Sequence, residues 1–594
     1  MASYRAPVQF MQFLLHDVFN TEGLMKSLGH LPDFNRELMD AILEESARFN
    51  QEIILPTNEP GDKGCQFNNG EVTTPEGTKE AYQQLCEAGW TAMGCPEEFG
   101  GQPVPKALHL MTEEMLYACN TAFGLYPNLT HGAINLLKDH GSDDVKANYL
   151  PKLVSGQWSG TMCLTEPHAG TDLGLIKTKA EPQADGTYEL SGTKIFISAG
   201  EHDLTENIIH LVLAKLPDAP SGSKGISLFL VPKFLLDDAG NPDERNGITC
   251  GSIEHKMGIN GSATCVMNLD NAKGFLVGEV NGGLKCMFTM MNSERISVGI
   301  QGVGIAEIAL QNAVQYALDR KQGRGTNSEN EADMLLVHGD IRRMLLKIMG
   351  DTGASRALTV LTGNAYDTAY NHSEREVSRR AHRQLGLLTP VCKAFFTDKA
   401  YENCNVAQQI FGGHGYIKEW GMEQFVRDCR ITQIYEGTNS VQAFDLLGRK
   451  ILADSGRAWG EFKQELNDMI KDAATVGGWS KECDRVKQAL SGLSGVTDSL
   501  ISDEDMNPDK VNSLAVDYMH LFGTVTFGCL WLKMAAASVN VDEMTAFHRQ
   551  LQATAKFYIC YELASVSTYV ERLMAGQRVM MDPEQDIFEA VIDV

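Results

Sequence analysis

The hydrophobic period of this chain changes character twice, and that alternation bounds what it can fold into. In the first part, apolar positions recur at helical spacing over 34–50, 107–118 and 133–137, with no proline inside these runs. Gly and Pro gather instead in loops such as Asn58-Glu59-Pro60-Gly61-Asp62 and Glu98-Phe99-Gly100-Gly101. After Gly156 the runs become short and β-rich: 188–198, 207–215, 225–232, 264–269 and 275–277, bounded by Gly, Pro and Asp. They predict a small antiparallel barrel or sandwich. From Leu284 the helical period returns, over 300–321 and 334–361. It breaks between 412 and 439 and resumes over 441–452. The fold class is mainly α with a β middle domain.

A chain of 594 residues exceeds one hydrophobic core. The changes of period divide it into an N-terminal helical domain (1–156), a middle β domain (157–283), a helical domain (284–452) and a helical extension (453–594). In the extension, 485–493, 514–539 and 543–574 read as helices, with polar linkers near Gly495 and Asp503-Glu504-Asp505. The apolar run 521–532 is closed by His520 and Lys533, too short to cross a bilayer, so it reads as a core helix. A formal net charge of −26 argues against nucleic acid or an anionic membrane as partner. The 14 cysteines include no C-x-x-C pair and no zinc-like spacing, which predicts no metal site. Scattered through apolar patterns, as at Cys119, Cys392, Cys529 and Cys560, they predict free, buried thiols in a reducing compartment. No cleavable targeting segment is evident at the start, so a cytoplasmic location is expected.

Within the broken stretch, segment 427–439 reads R-D-C-R-I-T-Q-I-Y-E-G-T-N. It sets one carboxylate, Glu436, between an aromatic residue and Gly437-Thr438. Ile431, Ile434 and Tyr435 are apolar enough to bury it, and burial away from cations makes a carboxylate a stronger base. Gly437 lets the backbone approach a ligand closely. A lone Glu-Gly-Thr is more often a solvated glutamate before a turn, so the weight rests on the other segments.

This stretch resembles the signature of the acyl-CoA dehydrogenases, flavoenzymes that convert an acyl-CoA to the trans-2-enoyl thioester. Three further segments resemble the same family, in its order: M-C-L-T-E-P-H-A-G-T-D at 162–172, G-T-K-I-F-I-S-A-G at 192–200 and Q-I-F-G-G-H-G-Y at 409–416. Short motifs are weak singly and strong jointly. The resemblance spans roughly 40–450. It implies the family's fold and an FAD cofactor. It makes Glu436 the base that takes the α-proton, with its own N–H helping to hold the thioester oxygen. It places Leu164, Thr165, Thr171, Phe196, Ser198 and Thr438 at the flavin, and Arg320, Gln322, Gln409, Gly412 and Gly413 at its phosphates and adenine half. Asn292, Arg295, Tyr435 and Gly437 fall at the acyl-CoA. His168 stands where many members have glycine, and Gly323-Arg324-Gly325 replaces the usual Phe-Gly after Gln322.

In the family the arginine matching Arg320 comes from one subunit and the loop matching Gln409–Gly413 from another, which implies at least a homodimer. The implied electron acceptor is an electron-transferring flavoprotein. The start S-Y-R-A-P-V-Q-F-M-Q-F and the helical extension resemble a long bacterial subgroup. It includes 3-(methylthio)propanoyl-CoA dehydrogenases and enzymes of short- and medium-chain fatty acyl-CoAs. Two alternatives remain at this point. One is an acyl-CoA oxidase that passes electrons to oxygen; the other is a helical scaffold without catalysis, which the intact Glu436 disfavours.

Overall fold

The computed structural model describes residues 3–539 and 543–592. The first expected helix forms at Arg36–Phe49 (α1), opened by the Asn35 side chain, which accepts from the Leu38 amide. The runs at 107–118 and 133–137 belong to one long helix, Lys106–His140 (α2). It kinks at Asn120, whose backbone is extended (φ −160°, ψ 97°). The Asn120 carboxamide repairs the break. Its Oδ1 accepts from the Phe123 N–H, as an N-cap would, and its Nδ2 donates to Thr57 Oγ1.

The middle region holds strands Trp158–Cys163 (β1), Lys179–Pro182 (β2), Tyr188–Ser198 (β3), Asn207–Lys215 (β4), Ile226–Pro232 (β5), Ile248–Ile253 (β6) and Thr264–Val277 (β7). β7 pairs with β3, β3 with β2, β2 touches β4, β4 pairs with β5, and β5 returns to β7. Five strands therefore close a small barrel, with β1 beside β4 and β6 beside β7. The expected all-antiparallel order fails at β4, where both the β1 pairing and the single β2 contact, Lys179↔Lys215, are parallel. β1 runs parallel to β4, from Trp158↔Asn207 to Cys163↔Val212. The long connection between them allows it; a tight hairpin would not. β1 escaped notice because it is buried on both faces and shows no alternation. The runs 264–269 and 275–277 are one strand with a register shift between Leu269 and Ala272.

Helices Gly283–Asp319 (α3), Gly339–Asn371 (α4) and Arg375–Ile410 (α5) pack with α2 into a bundle. Buried Arg356 of α4 ties them together. It donates to both Glu114 carboxylate oxygens and to Glu307 Oε2 at 2.8 Å. The stretch after α5 is not irregular throughout, as expected, but carries the short helix Met422–Arg430 (α6). Asn439–Phe444 (α7) follows the catalytic-type signature.

The extension forms Arg457–Ala474 (α8), Ser480–Ile501 (α9), Pro508–Ala537 (α10), Ala546–Cys560 (α11) and Ser565–Ala575 (α12). Gly495, expected in a linker, lies inside α9, where Leu493, Val496 and Leu500 bury one face. The loop falls at Asp503-Glu504-Asp505 instead. Among the described residues no helix is long and apolar enough to cross a membrane. Cys119, Cys392 and Cys529 are free and buried as expected, whereas Cys560 is free and exposed at the end of α11.

α10 packs on α5 through Gly523. A Cβ at this position would lie 2.4 Å from the Phe395 ring. Gly523→Ala is therefore expected to destabilise the protein by about 1–3 kcal/mol through overpacking. A lowered midpoint in denaturant unfolding of the full chain is the readout. An unchanged midpoint would mean that α10 and α5 do not approach this closely.

Candidate active site

Residues 431–438 join α6 to α7, and Glu436 sits at the bend. Its φ is +56° and that of Gly437 is +82°. A left-handed backbone is uncommon for a residue with a side chain and persists only where neighbours enforce it. Here the Tyr435 N–H donates to Ile431 O, and Gln442 Nε2 donates to the carbonyls of Glu436 at 3.3 Å and Gly437 at 3.4 Å. A Cβ on Gly437 would sit 2.7 Å from that same Gln442 nitrogen, so the close approach requires glycine.

All three regions of the core meet at this bend. The Tyr435 ring packs with Ala122 and Leu125 of α2 and with Ile259 from the loop between β6 and β7. Its hydroxyl donates to Gln301 of α3. Just upstream, Asp428 accepts from the Ile259 N–H, and Arg427 pairs with Asp62 at 2.6 Å and with Glu423. Ile434, expected from the sequence to help bury the carboxylate, instead points outward, 46% exposed. Burial comes from α3 and α5 instead.

The Glu436 residue is half-buried as a whole, yet its Oε1 is fully buried and has no hydrogen-bond partner among the described residues. Burial pushes its carboxyl up to about 7, against the opposing pull of Arg295 and Lys393. Lys393 of α5 is driven down to about 7, chiefly by burial. A second carboxyl, Glu294 of α3, is also buried. It accepts from Asn128 Nδ2 at 2.5 Å, and its Oε1 has no partner. Burial, then the charges of Glu436 and Glu113, hold it well above the usual carboxylate range. Glu294 is thus held towards its neutral form, while Glu436 ionises near neutrality.

The structure gathers the other expected residues into two further groups. In the first, loop and barrel strand are joined: Ile195 N–H donates to Thr165 O at 2.9 Å, and Lys194 Nζ donates to Leu164 O at 3.0 Å and to Glu166. Beside this join, Phe196 has φ +60° and leaves its ring 59% exposed. Ser198 is half-buried and Thr171 exposed. In the second group, Arg320, Gln322, Gln409, Gly412 and Gly413 are all exposed. Tyr316, one turn before Arg320, stacks on Phe411 with ring centroids 4.1 Å apart. Both motifs therefore lie side by side at one end of a single protomer. Among the described residues the Arg320 guanidinium hydrogen-bonds only Gln322, at 3.5 Å. The Thr438 hydroxyl accepts from the Val441 N–H at 3.4 Å and caps α7. Asn292 is exposed and accepts from the buried Arg295 at 3.3 Å.

Comparison with known proteins places this geometry. Four domain descriptions match in chain order: Acyl-CoA dehydrogenase, N-terminal domain over 40–157, the middle domain over 161–272, the C-terminal domain over 281–452, and Acetyl-CoA dehydrogenase C-terminal like over 462–584. The chain is 43% identical to 3-methylmercaptopropionyl-CoA dehydrogenase of Ruegeria pomeroyi, over 89% of this chain and 90% of that one. The chain belongs to the acyl-CoA dehydrogenase family. It is also 31% identical to a broad-specificity linear acyl-CoA dehydrogenase of Mycobacterium tuberculosis, over 99% of each. A solved acyl-CoA dehydrogenase complexed with FAD from Bacillus anthracis shares the fold at a TM-score of 0.73 and 21% identity, covering 95% of this chain and 91% of that one.

This acyl-CoA dehydrogenase is an oxidoreductase with FAD as its cofactor. The residues present fit that group. Phe196 offers an unpacked flat ring beside the hydroxyls of Thr165 and Ser198. Arg320 offers an exposed guanidinium suited to a pyrophosphate.

Sequence reasoning missed Glu294, Gln301, Lys393 and Asp398. Lys393 did carry a signal, a lone cation inside V-C-K-A-F-F. Glu294 lies mid-helix and buried, between the expected Asn292 and Arg295.

A carboxylate accepts a proton only when ionised, so a reaction that uses Glu436 as its base should slow as pH drops through the Glu436 value. We expect kcat/KM to rise with pH and level off above about 7. Initial rates across about pH 5–9 with an artificial acceptor are the measurement. A flat profile through that range would contradict the burial of this carboxylate.

Proposed function

We propose that Glu436 removes the α-proton of an acyl-CoA thioester bound against it. One observation carries this reading: a buried carboxylate oxygen without a donor, on an enforced left-handed turn. A carboxylate hydrogen-bonded to protein would be stabilised and weakly basic, whereas this one is poised to accept a proton at neutral pH. The Glu436 N–H makes no hydrogen bond among the described residues, so it is free to donate to the thioester oxygen as charge develops there. Arg295 and Lys393 add positive charge beside the nascent enolate. Bound FAD supplies the acceptor for the hydride that leaves the β-carbon. The electron pair of the broken α C–H bond becomes the new double bond, and the proton rests on Glu436.

The substrate reading is a short thioether- or alkyl-substituted acyl-CoA, 3-(methylthio)propanoyl-CoA first. It rests on the relative of that name at 43% identity, while the 31% relative supports a broader linear range. The exposed Arg320, Gln322, Gln409, Gly412 and Gly413 support a homo-oligomer in which this end of one protomer completes the cofactor site of its neighbour. The exposed Tyr416, Ile417 and Trp420 flank the same end. Family membership favours an electron-transferring flavoprotein as acceptor and a cytoplasmic location.

Glu436→Gln keeps the shape and the backbone N–H but cannot take the proton. The variant is expected to purify yellow and bind acyl-CoA. Anaerobic bleaching of its flavin by acyl-CoA should slow by at least about 10²–10⁴-fold. Bleaching at the wild-type rate would reject Glu436 as the base.

A further inference from the structure

The C-terminal extension carries no residue of the site described above, yet one of its side chains is bonded into the frame of the catalytic bend. His520 of α10 reaches Asp398 of α5, with Nε2 3.0 Å from Oδ2. The other oxygen of Asp398 accepts from Gln433 Nε2 at 2.6 Å and from Asn439 Nδ2 at 2.7 Å. These two residues stand three positions before and three positions after Glu436. Asp398 therefore grips both legs of the bend. Asn439 in turn accepts from Lys393 Nζ at 2.8 Å through its Oδ1. Lys393 is one of the two cations whose field acts on the Glu436 carboxylate.

The approach of α10 is built for this contact. Gly523 lies one turn beyond His520 and lets α10 sit directly on Phe395. The His520 ring stands edge-on to Phe395, at 5.5 Å, and is stacked on Tyr569 of α12, at 5.8 Å. Its Nδ1 is buried without a partner. Hydrogen bonding to a carboxylate that itself holds two amides makes a connected frame, and such frames tolerate little slack.

We propose that His520 is a positioning residue for Glu436: by anchoring Asp398 it holds Gln433 and Asn439 on either side of the catalytic bend and keeps Lys393 beside the carboxylate. The extension thus belongs to the active site's supporting frame. The proposal rests on Glu436 being the base. The charged and titratable groups facing Glu436 are Glu294 and Arg295 from α3 and Lys393 from α5, with Tyr435 alongside. Those facing His520 are Asp398 from α5 and Tyr569 from α12. When the frame slackens, Lys393 leaves the neighbourhood of Glu436. The carboxyl loses a stabilising cation, and its proton affinity rises.

The test compares full-length, flavin-loaded His520→Leu and His520→Gln with the wild type. The leucine variant should lose about ten- to a hundredfold in kcat with little change in KM, as expected for a misplaced reacting group. Its acid limb in kcat/KM should move to higher pH by about one unit, the usual effect of removing a nearby opposite charge. Glutamine, which keeps a donor near the Nε2 position, should restore both. A purely structural role would lower the yield of folded enzyme without moving the acid limb. Should the leucine variant fail to fold, Asp398→Asn, of the same shape, is expected to show the same shift. A flavin-loaded variant with wild-type kcat and an unmoved acid limb would overturn the proposal. Glu436→Gln run in parallel separates the two readings. If it stays active, the base assignment fails. If it is inactive while His520→Leu behaves as wild type, only the positioning role fails.

Discussion

Desolvating a carboxylate without giving it a hydrogen-bond donor is unfavourable, and the architecture around Glu436 is arranged to impose that state. The bend cannot hold itself. Its left-handed residue needs outside restraint, and restraint arrives from every region. α2 and the barrel loop clamp Tyr435, α3 receives the Tyr435 hydroxyl, and α5 brings Lys393 and Asp398. Remove the closed barrel or the bundle and there is no pocket in which this carboxyl would titrate near neutrality.

Two neighbouring carboxyls take different roles because their surroundings differ. Glu294 is enclosed between α3 and α2 and bonded to Asn128, and the pull of the Lys106 charge is outweighed by its burial and by the charges of Glu436 and Glu113. Glu436 has Arg295 and Lys393 to offset its burial. Like charges close together do not both ionise, so the one with cations carries the charge.

Much of the fold was legible because period is a local property. The strands at 188–198 and 207–215 occur with those bounds, and the buried 521–532 run is a core helix. What stayed hidden was non-local. The parallel seam between β1 and β4 depends on where two distant strands meet, and β1 has no alternating face to betray it. Gly495 reads as a breaker, but buried neighbours on one face outweigh its weak helix propensity. The signature around Glu436 was readable as a motif. Its electrostatics were not, because Lys393, Glu294 and Asp398 approach from other helices. His520 could be read only as a polar residue closing an apolar run; its partner lies 122 positions away.

The central claim is that Glu436 takes the α-proton of the bound acyl-CoA. It is tested most directly with an acyl-CoA that has no transferable β-hydrogen, incubated with the enzyme in D₂O and followed by NMR. The account predicts that wild-type enzyme exchanges the α-hydrogens for deuterium while Glu436→Gln, equally loaded with flavin and substrate analogue, does not. Equal exchange in both proteins would contradict it.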